Sequence, residues 1–396
     1  MAVYIARQPI LDRSRRIVAY ELLFRPPPSA SDEGARATAE IVARVFGDPA
    51  FADALGPHPA FVNVDAQFVA GDYMELLPAQ RAVVELLETI AYTPELVARL
   101  RALQAKGYRF AADDFTGDLE ALAPVLPLIE IVKVDARALE GTAPEEVARR
   151  LPGKTLLAEK VETDEEAQRF ARAGYALFQG YFFARPETVG KLEPDPARFA
   201  ALRLLALVNG EAELAAVEDA LKQESVLAVG LLRLVNSAAA GLARRVNSLR
   251  EAVLLLGRNQ LARWLQLLVY LGAGTVEARA HPLLQTAAVR GKTLEILARA
   301  LGRSGERAYL AGLVSLFPAA TGIPLERLLS MLPLDDEVVA ALRARKGTLG
   351  DLLRLAEAME RADDEAVASA LEALPRLTGD DLFFASAEAI AWAGRL

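Results

Sequence analysis

Short apolar or alternating runs punctuate the first half of the chain, and helix-period text fills the second. The runs are VYIA (3–6), RIVAYELLFR (16–25), AFVNVD (60–65), AVVELLE (82–88), RFAADDF (109–115), IEIVKVD (129–135), TLLAEKVE (155–162) and YALFQGYFF (175–183). Most are separated by helical stretches. In TPELVARLRALQAKG (93–107), Thr93 suits the cap, Pro94 the first turn and Gly107 the end. Alternating strands and helices predict a parallel sheet covered by helices. About eight strands in under 200 residues predict a compact α/β barrel. The segment RPETVGKLEPDP (185–196) reads as a connection, and PPPSASDEG (26–34) as a polar loop. Beyond it the text is helical: Asp195 and Pro196 suit a helix start, Ser248 and Glu251 a capping box, and Asn259 a cap for QLARWLQLLVYLG. No strand is predicted after 200. The expected organisation is a barrel over 1–190, a linker over 191–199 and an all-α domain over 200–396.

Polar residues interrupt these strands where apolar ones would be expected. In RIVAYELLFR, one face carries Ile17, Ala19, Glu21, Leu23 and Arg25, so an acid and a base share an inner-looking face. Asn63 ends FVN, Glu85 follows AVV with Glu88 close behind, and Asp113 and Asp114 follow FAA. Lys133 and Asp135 close IVKVD, Glu159 and Glu162 close LLAEKVE, and Gln179 follows YALF. A lone acid at a strand end is usually a solvated rim residue, and Asp113–Asp114 alone suits a turn. Their recurrence at six strand ends argues against accident, because the strand C-termini of a barrel converge on one rim. Glu21, Glu85, Asp113, Asp114 and Glu159 would then crowd together, which requires protons or cations among them. Oxygen-only ligands, including the Asn63 amide, suit a pair of Mg²⁺ or Mn²⁺ ions, and such a pair suits phosphodiester cleavage. Lys133 would orient water or balance charge, and Arg25 would hold a phosphate.

Composition narrows the classes. Of 396 residues, 53% are hydrophobic and 25% charged, which fits a globular chain with real cores. With no cysteine, disulfides, zinc–thiolate sites and thiol nucleophiles are excluded. The two histidines, His58 and His281, leave no multi-histidine metal site and little histidine catalysis. The net charge of −8 lies in the first half: residues 1–195 carry 22 basic and 30 acidic side chains, residues 196–396 carry 23 of each. That surface argues against broad nucleic-acid binding and favours carboxylates gathered on a hard cation. No apolar run is long enough to span a membrane and no export leader is evident, so a cytoplasmic protein is expected. Neither an ATP-binding phosphate loop nor a dinucleotide-binding glycine fingerprint is present.

In this order the motifs resemble the EAL domain, the cyclic di-GMP phosphodiesterase. RQPILDRSRRIVAYELLFR resembles its opening, with Gln8-Pro9-Ile10 and the signature Glu21, Leu23 and Arg25. FVNVD, VELLE, ADDF, VKVD, AEKVET and FQGYFFARP resemble its later motifs. The resemblance covers about residues 3–187 and implies a modified TIM-like barrel. It implies metal ligands at Glu21, Asn63, Glu85, Asp113, Asp114 and Glu159, and catalytic roles for Lys133, Glu159 and Glu88. It also implies dinucleotide contacts at Gln8, Arg25 and Gln179. Two departures stand out. The text DDFTGDLEALAP lacks a Gly and a Ser pair of the family's loop, which helps place the second metal and Glu88. The stretches from Glu21 to Asn63 and from Lys133 to Glu159 are short where the family keeps elements for dimerisation and substrate enclosure.

The second half resembles the all-helical HDOD domain, through LAVGLLRLVNSAAAGLARRVNSLREAVLLLGRNQLARWLQL (227–267). Where related HD enzymes place a metal-binding His-Asp, this chain has Ser315-Leu316, so an interaction module is expected. LVNSAAAGL (234–242) suits either a functional groove or a tight helix end. EAL followed by HDOD resembles a class of bacterial signalling proteins. Three readings follow: a metal-dependent enzyme hydrolysing cyclic di-GMP to pGpG, a silent cyclic di-GMP receptor, and a protein-interaction scaffold. The expected partners are cyclic di-GMP, an unidentified protein at the HDOD half and a possible second copy of the chain.

Overall fold

The computed structural model describes residues 4–24, 38–39, 42–43, 45–47, 55–139, 142–184, 196–209, 213–236, 246, 248–271, 282–332 and 334–394. Contacts divide the chain into two compact units. One holds Met1–Arg185, Arg279–Pro282 and Glu357–Arg395; the other holds Pro186–Ala278 and Leu283–Ala356.

The first unit is built on a closed eight-stranded barrel in sequence order. Its strands are β1 (Ile5–Asp12), β2 (Ile17–Phe24), β3 (Ala60–Val64), β4 (Ala82–Leu86), β5 (Arg109–Phe115), β6 (Ile129–Asp135), β7 (Thr155–Val161) and β8 (Leu177–Gly180). From β2 to β8 each neighbour pair is parallel, as expected. The expectation of an all-parallel sheet fails at β1, which runs antiparallel to both β2 and β8. The run VYIA is only the start of this strand, which continues through Pro9. Proline is tolerated there because β8 pairs with β1 only at Leu11 and Asp12, so no ladder bond is needed from position 9 on that side. Asp12 closes the β1–β2 hairpin, its Oδ1 accepting from the backbone N–H of Ser14 and Arg16.

Every strand contributes one apolar side chain to an interior layer: Ile10, Ala19, Phe61, Val83, Ala111, Ile131 and Leu157, with Leu177 packed against them. Burying each large member contributes roughly 1.5–3 kcal/mol. Helix Pro94–Ala105 forms as the sequence predicts, with Thr93 Oγ1 accepting from Leu96 N at 3.3 Å.

Helices Asp364–Glu372 and Gly379–Ala393 belong to the barrel unit. Ser386 Oγ accepts from Ile5 N at 3.2 Å, and Tyr4 Oη donates to Asp364 Oδ1 at 3.1 Å. The expected boundaries followed the chain linearly and did not anticipate this return.

In the second unit, the described residues form helices and no strand. Ser248 Oγ accepts from Glu251 N at 3.1 Å, supplying one half of the expected capping box. Helix Leu249–Leu271 breaks at Gly257 (φ 68°, ψ 168°), so a second helical segment starts there and Asn259 lies in its first turn, two residues past the break. Asn236 exchanges 2.8 Å hydrogen bonds with both backbone groups of Val246, while most of the LVNSAAAGL segment lies outside the described residues. Ser315 Oγ accepts from the buried Arg290 at 2.7 Å and donates to the Gly312 carbonyl. Among the described residues, no helix is long and apolar enough to cross a membrane.

Candidate functional site

Side chains two residues apart on a strand share a face. One step beyond the apolar layer, towards the C-terminal rim of β2 to β8, the inward positions are Glu21, Asn63, Glu85, Asp113, Lys133, Glu159 and Gln179. On the antiparallel β1 the matching position is Gln8, paired in register with Glu21. All eight strands therefore place a polar side chain in one ring directly above a purely apolar one.

Lys133 is the centre of this ring and is 1% exposed. Its Nζ lies 2.7 Å from Asp113 Oδ1, 2.8 Å from Glu85 Oε1, 3.4 Å from Glu21 Oε2 and 3.6 Å from Glu159 Oε1. Four carboxylates thus share one ammonium. Burial alone would lower the Lys133 pKa, but the surrounding carboxylates overcome it and hold the amine firmly charged. Glu21 keeps its negative charge against burial, through Lys133 and hydrogen bonds from Gln179 and Asn63, the latter at 3.0 Å. Burial, then the charge of Glu21, pushes Glu85 well above the usual carboxylate range. Asp113 is raised as well, burial outweighing the opposing Lys133. Burial raises Glu159 to about 8, with Lys133 opposing and Asp113 and Glu21 adding. Each buried carboxylate without a counter-charge costs several kcal/mol, so with a single amine among them Glu85 and Glu159 hold their protons at neutral pH.

Within the ring, the unsatisfied atoms are all oxygens. Asn63 Oδ1 and Gln179 Oε1 are buried without a hydrogen-bond donor. Glu85 Oε2 is buried without a donor, Glu85 Oε1 has the Lys133 ammonium at 2.8 Å, and Glu159 Oε1 lies 3.6 Å from the same ammonium. Carboxyl and amide oxygens gathered here with too few donors fit a hard divalent cation, which would displace the protons.

Beside the ring, Glu88 and Asp114 join the ring's own Asp113, the three each bringing a carboxylate oxygen within 4.8 Å of the others. The altered loop after Asp114 thus still leaves Glu88 close to the Asp pair. Asp118 ends that loop by capping Leu119–Leu122, its Oδ1 accepting from Glu120 N and Ala121 N. Gln8 accepts from Gln179 Nε2 at 2.7 Å and donates its own amide to the Glu360 carbonyl at 2.9 Å. Ten of the eleven side chains expected to form a site are accordingly found around one rim; Arg25 lies outside the described residues. Sequence reasoning did not single out Lys160. Its Nζ donates to Asp114 Oδ1 at 2.9 Å and Asp135 Oδ2 at 2.7 Å, so Asp135 pairs with Lys160 and not with Lys133. The signal was a basic residue in AEKVE where the resembling motif carries Gly.

Comparison with known proteins agrees with this architecture. The EAL domain family model matches residues 67–186, and the HDOD domain family model matches residues 194–316. The cyclic di-GMP phosphodiesterase CdgJ of Vibrio cholerae is 32% identical, over 92% of this chain and 86% of its own. The uncharacterised protein YuxH of Bacillus subtilis is 29% identical over 91% of each chain. Among solved structures, BlrP1 of Klebsiella pneumoniae in a calcium and cyclic di-GMP complex is 26% identical with a TM-score of 0.40. That match covers 47% of this chain and 56% of BlrP1. An eight-stranded barrel with this polar rim, a helical second unit, and a relative alike along nearly the whole length lead to one assignment: the chain belongs to the EAL–HDOD family.

Proposed function

We propose that this is a cyclic di-GMP signalling protein whose barrel binds the dinucleotide with divalent metal and hydrolyses it to the linear form. The observation that carries this reading is the ring of four buried carboxylates around a single ammonium, with acceptor oxygens left unpaired. The relative CdgJ, named as a cyclic di-GMP phosphodiesterase, supports it.

In this reading Glu21, Asn63, Glu85, Asp113, Asp114 and Glu159 hold the metal, as Mg²⁺ or Mn²⁺. Bound metal supplies a Lewis acid for the phosphoryl oxygens and lowers the pKa of water. The Lys133 amine, fixed by its carboxylates, orients the attacking water and offsets charge developing on phosphorus. Glu159 and Glu88 help order the water and its proton. Gln8, Gln179 and Arg25 contact the dinucleotide. Water adds to one phosphorus while the bond to the ribose O3′ breaks and that oxygen takes up a proton, giving a 5′-phosphate and a free 3′-hydroxyl. The helical half serves as the output module for a protein partner.

The test is direct. Purified chain is incubated with cyclic di-GMP and Mg²⁺ or Mn²⁺, and products are resolved by chromatography beside a Glu21→Ala variant. Linear dinucleotide from the parent and at least a hundredfold less from the variant is expected; equal product from both overturns the assignment. A second reading, a receptor that binds without cutting, is favoured by one feature, the pairing of Asp114 with Lys160.

A further inference from the structure

Lys160 is a non-glycine residue in the left-handed region, with φ of 54°, inside strand β7. A side chain is disfavoured there, and residues held this way gather at functional sites. The β7–β8 ladder shifts register between Ala158 and Val161, so the irregularity spans the residue. The side chain of Lys160 is 43% exposed and bridges two acids carried by different strands, Asp114 on β5 and Asp135 on β6. Asp114 itself has a φ of 42°, so both partners of the 2.9 Å contact sit in strained backbone.

Asp114 is also part of the outer carboxylate trio with Glu88 and Asp113. The rim therefore has two groups of carboxylates that share Asp113, with one ammonium inside and one outside. Lys133 lies inside, among Glu21, Glu85, Asp113 and Glu159, and its ring keeps unpaired acceptor oxygens. Lys160 lies outside and satisfies an oxygen of Asp114 directly. A divalent ion entering the outer trio would meet two of its three carboxylates already bonded to an ammonium, Asp113 to the buried Lys133 and Asp114 to the exposed Lys160. An exposed lysine on a flexible stem can swing away, so the outer position is weakened rather than closed.

We propose that the Lys160 ammonium is a built-in competitor for the outer of two cation positions, so that this barrel binds one divalent ion readily and a second only when Lys160 leaves Asp114. The inference rests on the metal reading above and concerns its stoichiometry. It makes Lys160 a positioning residue that sets how much metal the rim needs.

Metal counting tests it without reference to turnover. Mn²⁺ is titrated into the full, metal-stripped chain, with free Mn²⁺ followed by its paramagnetic resonance signal. The parent is compared with Lys160→Gly, Lys160→Asn and Lys160→Arg. Gly and Asn both accept the left-handed backbone without a charge, and Arg keeps the charge. The parent is expected to bind one Mn²⁺ and a second at least tenfold more weakly. Lys160→Gly and Lys160→Asn should tighten the second ion at least tenfold with the first unchanged, and Lys160→Arg should keep the parental pattern. Two equally tight ions in the parent, or neutral variants that match it, overturn the role of Lys160 and leave the metal reading standing. A parent that binds no Mn²⁺ overturns the metal reading itself.

Discussion

Glu159 shows how one side chain reports on the whole ring. Its carboxyl ionises at about 8 in the folded chain against an ordinary 4.5, because burial and neighbouring carboxylates outweigh Lys133. Between those values the folded chain keeps a proton that the unfolded chain has released. Stability from this group is therefore complete below about pH 4.5 and falls as pH rises towards 8. Metal-free protein is expected to lose several degrees of melting temperature across that window, with Mn²⁺ restoring most of the loss. Glu159→Gln cannot titrate and should make the slope shallower; an unchanged slope in thermal melts would refute this account of Glu159. At this scale the sequence was informative. Polar residues at strand ends stood out because apolar ones belong there, and ten of them meet around one rim. Lys160 escaped notice because a lysine beside Glu159 reads as an ordinary solvated residue, and its left-handed backbone is invisible in the text.

At the scale of elements, the strands were legible from alternation, but their ends and directions were less so. Strand β8 stops at Gly180, where the sequence run continued to 183, because Phe182–Ala184 turns into a short 3-10 helix. Gly180 has a φ of 146°, and a Cβ there would lie 2.1 Å from the Val161 carbonyl oxygen. Only glycine lets β8 approach β7 so closely beside Gln179. Gly180→Ala is predicted to cost about 2–4 kcal/mol, measured as a lower urea midpoint. A change within about 0.5 kcal/mol would mean that the strand end adjusts freely. The antiparallel β1 was missed for a related reason. DRSRR reads as a polar link between any two strands, and the bonds that Asp12 accepts from Ser14 and Arg16, with the backbone bond from Asp12 N to Arg16 O, show it to be a tight hairpin.

At the scale of the molecule, the return of residues 357–395 to the barrel was not legible, because helical periodicity shows that a face is buried and not what buries it. The consequence reaches the site, since the Glu360 carbonyl holds Gln8, which in turn accepts from Gln179. A chain ending at Ala356 loses that contact, the Ser386 bond to Ile5 and the Asp364 bond to Tyr4. Limited proteolysis is expected to cut the barrel of this truncated chain at least tenfold faster than in the full chain; equal rates would show that the segment is dispensable.

The most direct test of the central claim, a metal-dependent cyclic di-GMP site on the barrel rim, is calorimetric titration of cyclic di-GMP into the full chain with Ca²⁺ and with EDTA. The account predicts one dinucleotide bound per barrel with Ca²⁺, and at least tenfold weaker binding in EDTA or in Glu21→Gln. Absence of binding in both solutions, or binding that neither EDTA nor Glu21→Gln weakens, would contradict it.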